Sequence, residues 1–269
     1  SPLFFAHQAE NSVLNIDDDI GKKLALELSS MVNIFTYSVS DSSADVSLNK
    51  ATYHARGMDI DVNIQSHDYR LSMSLYGPFN VANILAVIAV LKSLGKTDAQ
   101  IIEALATIKA VPGRMQYIDN EKLRSVFVDY AHTPAALKAA INAVREHCDG
   151  RLICVFGCGG NRDQGKRPLM GEVASRYADE IVITSDNPRC EQPQEIIEAI
   201  AVGCVGSSRV SKIVARDQAI SYALESSQVH DAILIAGKGH EKFQSIGNQE
   251  IAFDDVHIAQ QALRQVAYG

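Results

Sequence analysis

The sequence predicts an α/β protein in two parts, and three observations support this fold class. Apolar segments of strand length alternate with helical stretches through the second half of the chain. Runs with a period of two, typical of half-buried antiparallel strands, cluster between residues 45 and 75. A Pro-Gly step at Pro112-Gly113 separates the two patterns. We therefore predict one domain over residues 1–112 and a second over residues 113–269.

Bulk composition limits the classes of function. At 269 residues and 46% hydrophobic residues, the chain can bury two cores. A net charge of -7 argues against a general nucleic-acid binder, which needs clustered cations. The five cysteines form no CxxC pair, which fits reduced thiols in a cytoplasm. No apolar run reaches the ~20 residues of a membrane span, and the absence of an initiator Met leads us to expect a piece of a longer protein.

The first part begins with a predicted βα unit. Residues 12–16 form a short apolar strand, and the carboxylates of Asp17, Asp18 and Asp19 suit the positive end of a following helix. The alternating runs between residues 45 and 75 then predict a small antiparallel meander. A Gly77-Pro78 break precedes a helix pair, predicted over residues 81–94 and 98–108.

The second part predicts a Rossmann-like domain with a mainly parallel sheet. Five apolar strands are separated by helices of ~10 to 15 residues, which implies βαβ crossovers and a sheet covered on both faces. The predicted strands span residues 125–128, 152–156, 180–184, 210–214 and 232–236. Four polar clusters directly follow strands, and ligands of such sheets bind beyond the carboxyl ends of the strands. We expect these clusters to converge on one rim.

A segment of the second part resembles a phosphate loop, but a glycine-rich turn is the favoured interpretation. Residues 160–166 read G-x-x-x-x-G-K between a strand and a helix, but Arg167 stands where the motif needs Ser or Thr to bind magnesium. The segment is instead predicted to be a glycine-rich turn that exposes backbone N–H groups and Arg162.

Each remaining cluster has both a structural and a ligand-binding interpretation. Residues 186–189 could simply build an Asx-Pro turn, or Arg189 could offer a planar fork to a carboxylate while Asn187 offers a donor and an acceptor. Glu241 could receive an ammonium group, although its loop could equally be a tight turn before a strand at Phe243. Arg162 and Arg189 on one rim suggest an anionic small molecule.

Two further pairs of residues also have both a structural and a ligand-binding interpretation. Asp129 and His132 could serve only the entrance of the helix that begins at Thr133-Pro134. Asn80 and Asn83 lie three residues apart at a helix start, where one could cap the helix. His240 has no second His or Cys at ligand spacing, so zinc is rejected.

Taken together, the motifs resemble those of the Mur ligase family through essentially the whole chain. They occur in this order: Gly77-Pro78-Phe79-Asn80-Val81-Ala82-Asn83, Gly113-Arg114-Met115, Asp129-Tyr130-Ala131-His132-Thr133-Pro134, Phe156-Gly157-Cys158-Gly159-Gly160-Asn161-Arg162-Asp163, Lys166-Arg167-Pro168, Asp186-Asn187-Pro188-Arg189 and Gly237-Lys238-Gly239-His240-Glu241. The resemblance implies that residues 1–112 are the remaining part of a central ATP-binding domain and residues 113–269 the amino-acid-binding ligase domain.

The resemblance implies an ADP-forming ligase of peptidoglycan precursor synthesis, a cytoplasmic process of cell-wall growth and division. ATP converts the D-glutamate side carboxylate of a UDP-linked muramoyl dipeptide into an acyl phosphate, which the amine of meso-2,6-diaminopimelate attacks. Catalysis of this kind depends on positioning and charge stabilisation. The implied partners are small molecules, without nucleic acid or membrane, and the implied state is a monomer.

Site residues follow from the same resemblance. Those implied to bind meso-diaminopimelate are Arg162, Asp186, Asn187, Pro188, Arg189, Gly237 and Glu241. Those implied to meet the nucleotide are Asn80, Asn83, Arg114, Asp129 and His132. Because lysine lacks a distal carboxylate, Arg189 facing lysine would be unpaired, and we expect diaminopimelate to be preferred.

The chain departs from the family pattern in residues and in extent. Asn161 stands where Asp is frequent, and Cys190 where Thr or Ser is common. The resemblance places a uridine-nucleotide domain, a Lys-Thr phosphate loop, the Mg²⁺ ligands and a modified lysine before Ser1, so we expect this chain to be inactive alone. Two rivals remain: a folylpolyglutamate synthetase relative, and a non-catalytic binding module for an amino acid or nucleotide.

Overall fold

The computed structural model describes residues 9–119, 124–206 and 208–268. The chain divides into two compact units, residues 1–109 and 110–269. This division lies just before the Pro-Gly step, and the predicted domain boundary there stays a prediction. No helix of the described residues is long and apolar enough to cross a membrane.

The first unit contains a five-stranded mixed sheet in the order β1-β2-β3-β4-β5. Neighbouring strands are parallel from β1 to β3 and antiparallel from β3 to β5. The strands are β1 (Asn11–Asn15), β2 (Asn33–Ser38), β3 (Val46–His54), β4 (Gly57–Ile64) and β5 (His67–Met73), and the helices are α1 (Asp19–Leu28), α2 (Phe79–Ser93) and α3 (Asp98–Leu105). Helix α2 packs on β1, β2 and β3.

Most predicted elements of the first unit are confirmed. Asp18 caps α1, accepting a hydrogen bond from the Gly21 amide at 2.7 Å, and β3 to β5 form the meander. Strand β4 buries alternate residues, as a period of two requires. Other predictions were incomplete: β2 was not predicted, and α2 begins at Phe79 rather than residue 81. Strand β1 lies one residue earlier than predicted, and α3 ends at Leu105 rather than at residue 108. Pro78 precedes the first residue of α2, a position compatible with the fixed φ of proline.

The second unit contains a six-stranded sheet in the order β10-β9-β8-β11-β7-β6 and a separate hairpin of β12 and β13. All ladders of the large sheet are parallel except that between β6 and β7. The strands are β6 (Gln116–Tyr117), β7 (Ser125–Asp129), β8 (Leu152–Phe156), β9 (Glu180–Thr184), β10 (Arg209–Ile213), β11 (Ala232–Ala236), β12 (Phe243–Ile246) and β13 (Gln249–Ala252). The helices are α4 (Pro134–Arg145), α5 (Lys166–Tyr177), α6 (Pro193–Ala201), α7 (Arg216–Ser226) and α8 (Asp255–Tyr268).

The predicted parallel sheet is therefore confirmed, with small shifts in two strands. Every residue of β7, β8, β9 and β11 is buried, as expected for strands covered on both faces. Strand β7 extends to Asp129, and β10 lies one residue earlier than predicted. The prediction missed β6 because two residues carry no periodic signal.

The order of the strands creates a crevice at the carboxyl ends of β8 and β11. Helices α7 and α8 pack against one face of the sheet in a single apolar cluster with alternate residues of β7, β8 and β11. Right-handed crossovers place α4, α5 and α6 on the other face, because the three connections run in the same direction across the sheet. The segments leaving adjacent strands β8 and β11 thus pass to opposite faces, which is where α/β sheets bind ligands.

Candidate functional site

The loops after β8 and β9 pack together at this crevice through their backbones. A Cβ atom added to Gly157 would lie 2.2 Å from the Thr184 carbonyl oxygen, and one added to Gly160 would lie 1.9 Å from that of Pro188. Neither position accepts a larger residue without movement of the facing loop. Gly157 and Gly160 therefore allow the backbones of the two loops to pack in direct contact.

An ion pair between Arg167 and Glu191 also holds these two loops together, which gives Arg167 a structural role. Its side chain is buried, and its Nη2 atom lies 2.8 Å from Oε2 and 3.0 Å from Oε1 of Glu191. Glu191 also accepts a hydrogen bond from the Asn161 amide. The hydrogen bond from the Asn161 amide and the charge of the Arg167 guanidinium hold the pKa of Glu191 below its usual value. Arg167, which excludes a phosphate loop of the usual kind, thus positions the glycine-rich turn.

Two arginines lie together over Gly159. A Cβ atom at Gly159 would be 2.9 Å from Nη1 of Arg189 and 3.7 Å from Cγ of Arg162. Nη1 of Arg189 donates to the Gly160 and Asn187 carbonyl oxygens at 2.9 and 3.4 Å. In the described part of the chain, no side chain forms a hydrogen bond or ion pair with Arg189 or with Arg162. The rim thus presents guanidinium donors suited to a carboxylate.

The backbone of Arg189 is held in an unusual conformation. Its φ is +52°, in the left-handed region that non-glycine residues seldom occupy. The Arg189 amide donates to the Ser245 carbonyl at 3.0 Å, and the Gly247 amide donates to the Arg189 carbonyl at 2.7 Å. Strand β12 and the turn after it therefore maintain a strained residue at the candidate site, a feature frequent at functional sites.

Beside the arginines, three side chains from two loops form a buried polar network. Lys238 is completely buried, and its Nζ atom lies 3.0 Å from Oδ1 of Asn187 and 2.9 Å from Oε2 of Glu241. Nδ2 of Asn187 donates to the same Oε2 atom at 2.9 Å. Among the described residues, Oε1 of Glu241 has no hydrogen-bond partner, and the side chain is 23% exposed. That oxygen remains able to receive a ligand ammonium group.

Opposing influences act on the pKa of Glu241. Burial raises it, while the hydrogen bonds from Lys238 and Asn187, together with the charges of Lys238 and Arg189, lower it further than burial raises it. The resulting pKa lies below the usual value of a glutamate. Glu241 is therefore an ionised acceptor at neutral pH.

The other residues predicted for the amino-acid site contribute mainly to its framework. Asp186 accepts a hydrogen bond from the Asn187 amide at 2.7 Å, and its carbonyl oxygen accepts one from Gln244 at 2.6 Å. Gly237 has a φ of +116°, and a Cβ there would lie 2.7 Å from Oδ2 of Asp186. Pro188 is buried, with its carbonyl oxygen against Gly160. The structure thus gathers all seven predicted residues around the ends of β8, β9 and β11.

The residues predicted for the nucleotide are divided between the two units. Asn80 and Asn83 lie on α2 in the first unit, where Asn80 donates to the Tyr76 carbonyl oxygen and Asn83 to Asn80. Neither caps the helix, since Pro78 precedes its first residue without a side-chain cap. Their proposed ligand role stays a prediction.

In the second unit, Arg114, Asp129 and His132 surround Tyr130. The Arg114 guanidinium lies 4.8 Å from the centre of the Tyr130 ring, and the His132 ring 4.6 Å from it. Asp129 accepts hydrogen bonds from the Met115 and Ala131 amides at 2.8 Å each. Its carboxylate therefore has a structural role of its own, whether or not it contacts a ligand.

Sequence reasoning assigned no role to Lys238 or Tyr130. Both lie inside the motifs described above. The complete burial of Lys238 could not be predicted, because a lysine between two glycines in a loop is ordinarily exposed. The aromatic cluster of Tyr130 also includes His240, whose ring centre is 5.3 Å away. No group of three or more His, Cys, Asp or Glu side chains in the described residues could hold a metal ion.

Comparison with protein families places both halves of the chain in one group. Residues 2–91 match the Mur ligase middle domain, and residues 113–239 match the Mur ligase glutamate ligase domain. The two models together account for most of the 269 residues.

Curated relatives extend the likeness over nearly the whole chain. It is 40% identical over 265 residues to a UDP-N-acetylmuramoyl-L-alanyl-D-glutamate--2,6-diaminopimelate ligase of Coxiella burnetii, covering 97% of this chain and 54% of that protein. It is 41% identical over 260 residues to the protein of the same name from Haemophilus influenzae, covering 96% and 53%. The chain thus spans about half the length of the curated relatives it matches.

Solved structures agree with these matches. A UDP-N-acetylmuramoyl-L-alanyl-D-glutamate--2,6-diaminopimelate ligase structure superposes with a TM-score of 0.74 at 34% identity, covering 97% of this chain and 54% of that one. A Mycobacterium tuberculosis folylpolyglutamate synthase in complex with ADP and AMPPCP superposes with a TM-score of 0.63 at 18% identity, covering 96% and 55%. The latter likeness shows a shared fold alone. With family matches on both units and curated relatives about 40% identical over nearly its whole length, the chain belongs to the Mur ligase family.

Proposed function

We propose that this chain supplies the amino-acid acceptor site of an ATP-dependent ligase that adds meso-2,6-diaminopimelate to UDP-N-acetylmuramoyl-L-alanyl-D-glutamate. The main support is Arg189, which lies with the Arg162 side chain near Gly159 and whose charge acts on the Glu241 carboxylate, in a chain about 40% identical to ligases of that name. The proposed product is the tripeptide precursor of peptidoglycan. The reaction forms ADP, and the proposed location is the cytoplasm.

Recognition of the acceptor follows from its charges. The distal end of meso-diaminopimelate carries a carboxylate and an ammonium group on one carbon atom. Arg189 and Arg162 offer donors to the carboxylate, and Oε1 of Glu241 accepts from the ammonium group. L-Lysine offers no distal carboxylate, so its binding would leave the guanidinium groups unpaired. L-Glutamate offers no distal ammonium group to Glu241.

The proposed nucleotide role rests on fewer contacts. Arg114 is exposed, stacks on Tyr130 and has no acidic partner among the described residues, which leaves its charge available to phosphate groups. We assign Asp129 to the ribose side, with His132, Asn80 and Asn83 as the other nucleotide contacts. ATP would supply the phosphoryl group that activates the dipeptide carboxylate. The described residues contain no cluster of side chains that could hold Mg²⁺.

The chain's own contribution is to orient the attacking amine. With the distal centre held by Arg189 and Glu241, the proximal amine is free to approach the activated carboxylate. Such fixation accounts for a large part of the rate enhancement of acyl transfer. The proposed partners are therefore all small molecules, and the proposed state is a monomer.

A chimera tests this function directly. The 269 residues would replace the matched 265 residues of the Coxiella burnetii relative, and ADP release would be measured with the UDP-linked dipeptide and each amino acid. We expect release that depends on meso-diaminopimelate and not on L-lysine, and its loss in Arg189→Ala. A folded chimera that uses L-lysine in preference would contradict the proposal.

A further inference from the structure

The buried Lys238 carries a charge whose role the proposed ligand contacts do not explain. Its ammonium group is completely buried, and among the described residues it forms hydrogen bonds with Asn187 and Glu241 and lies 5.9 Å from the centre of the Phe243 ring. Lys238 is paired with Glu241, but even a paired buried charge often adds no net stability compared with neutral residues of similar shape. Stability of the loop alone therefore does not account for a buried lysine at this point.

The geometry of the network shows what the charge does. Both hydrogen bonds to Glu241 end on one oxygen, Oε2, which receives Lys238 at 2.9 Å and Asn187 at 2.9 Å. The carboxylate is thereby fixed through one oxygen, and the other faces no described partner. Lys238 also compensates the charge of Glu241 before any ligand arrives. A ligand ammonium group therefore meets the Lys238–Glu241 ion pair, with Oε1 of Glu241 free to accept, rather than an isolated carboxylate.

The charges around the rim then sum to a positive value. On the loops after β8, β9 and β11, the Arg167–Glu191 and Lys242–Asp254 pairs are each neutral. The remaining charged residues are four cations and three anions, a net charge of +1: Arg162, Lys166, Arg189 and Lys238 against Asp163, Asp186 and Glu241. The Arg216–Asp255 pair behind them is neutral and completely buried. At pH 7 meso-diaminopimelate has no net charge, whereas L-lysine carries +1. A positive site disfavours lysine independently of the contact that lysine fails to make with Arg189.

We propose that Lys238 is a specificity-determining positioning residue, which excludes L-lysine and other cationic amino acids by neutralising Glu241 while orienting it toward the ammonium group of a zwitterionic acceptor. This inference rests on the proposed function. It adds a repulsive element to the attractive contacts, a common way to obtain discrimination between similar ligands.

Charge removal at Lys238 provides the test. In Lys238→Met the net charge of the rim falls to zero, and Glu241 loses its cationic partner while keeping the hydrogen bond from Asn187. We expect the ratio of L-lysine affinity to meso-diaminopimelate affinity to rise by about tenfold, with weaker binding of meso-diaminopimelate. Lys238→Gln keeps a hydrogen-bond donor without a charge and should shift the ratio in the same direction. It provides the test if the methionine variant does not fold.

The chain offers a matched control. Lys212 forms an ion pair with Glu198 at 2.6 Å, on the surface of the same unit. Lys212→Met removes the same charge from a lysine–glutamate pair outside the site and should leave the ratio unchanged. Thermal unfolding of each variant confirms that the site is folded.

Binding would be measured by calorimetry and by saturation-transfer NMR, which detects weak ligands. A wild-type preference for meso-diaminopimelate with a raised lysine ratio in both Lys238 variants supports the inference. The same wild-type preference with an unchanged ratio in folded Lys238 variants overturns the inference alone. Failure of the wild-type chain to bind either amino acid overturns the proposed acceptor site, and the inference with it.

Discussion

At the scale of single residues, Asp231 shows how a carboxylate can stabilise the second unit away from the candidate site. It precedes β11 and accepts hydrogen bonds from the Gln228 and Arg151 amides at 2.8 Å each, and from the Arg151 guanidinium. Burial raises its pKa, but these hydrogen bonds outweigh burial and hold the pKa below the usual value of 3.8. Asp231 thus joins the amino ends of β8 and β11.

This residue gives a pH-dependent prediction. Because the folded-state pKa of Asp231 is depressed, its contribution to stability is present above pH ~4 and is lost as pH falls through the folded value. Asp231→Asn should cost about 2 kcal/mol of unfolding free energy at pH 7, and less at pH ~3. Urea denaturation at both pH values measures this. An equal cost at both would show that the charge of Asp231 is irrelevant.

At the scale of elements, the packing of the loops after β8 and β9 determines where the arginines lie. Gly160→Ala would place a methyl group 1.9 Å from the Pro188 carbonyl oxygen, so the facing loop must move. We expect a loss of about 1 to 3 kcal/mol in unfolding free energy and a marked loss of amino-acid binding.

Gly165→Ala is the matched control for that change. Gly165 lies in the same loop with a φ of -62°, and an added Cβ would meet only the Asp163 side chain, at 3.2 Å. It should leave both stability and binding nearly unchanged. Equal effects of the two variants, measured by thermal unfolding and calorimetry, would contradict the interlocked arrangement of the loops.

The elements of the fold were largely predictable, and the connections inside the site were not. Strands β8, β9 and β11 have the predicted bounds because a strand buried on both faces is a continuous apolar run. Strand β2 was missed because its residues, Asn33–Ser38, mix polar and apolar types and are mostly half buried. The rim of polar clusters was predictable from the parallel sheet, whereas the burial of Lys238 depends on packing between loops distant in sequence.

At the scale of the whole second unit, a buried ion pair joins the last helix to the sheet. Arg216 binds Asp255 through Nε and Nη2 at 2.7 Å each, and Nη2 also donates to the Ala236 carbonyl oxygen at 3.0 Å. Both side chains are completely buried. The pair therefore holds the start of α8 against the carboxyl end of β11, beside Gly237.

Removal of one partner should be far more harmful than removal of a surface pair. Arg216→Met leaves Asp255 buried and unpaired, and we expect a loss of about 3 to 5 kcal/mol. Glu198→Gln, which breaks the exposed pair with Lys212, should cost less than about 1 kcal/mol. Guanidinium denaturation of both variants measures the difference, and similar losses would contradict a structural role for the buried pair.

The proposed function requires an amino-acid site that is complete within this chain. The most direct test is calorimetric titration of the chain with meso-diaminopimelate, L-lysine and L-glutamate, repeated on Arg189→Ala, with Arg209→Ala on exposed β10 as control. We predict binding of meso-diaminopimelate in preference to the other two, lost in Arg189→Ala and retained in Arg209→Ala. A preference for L-lysine or L-glutamate, or meso-diaminopimelate binding that survives Arg189→Ala, would contradict it.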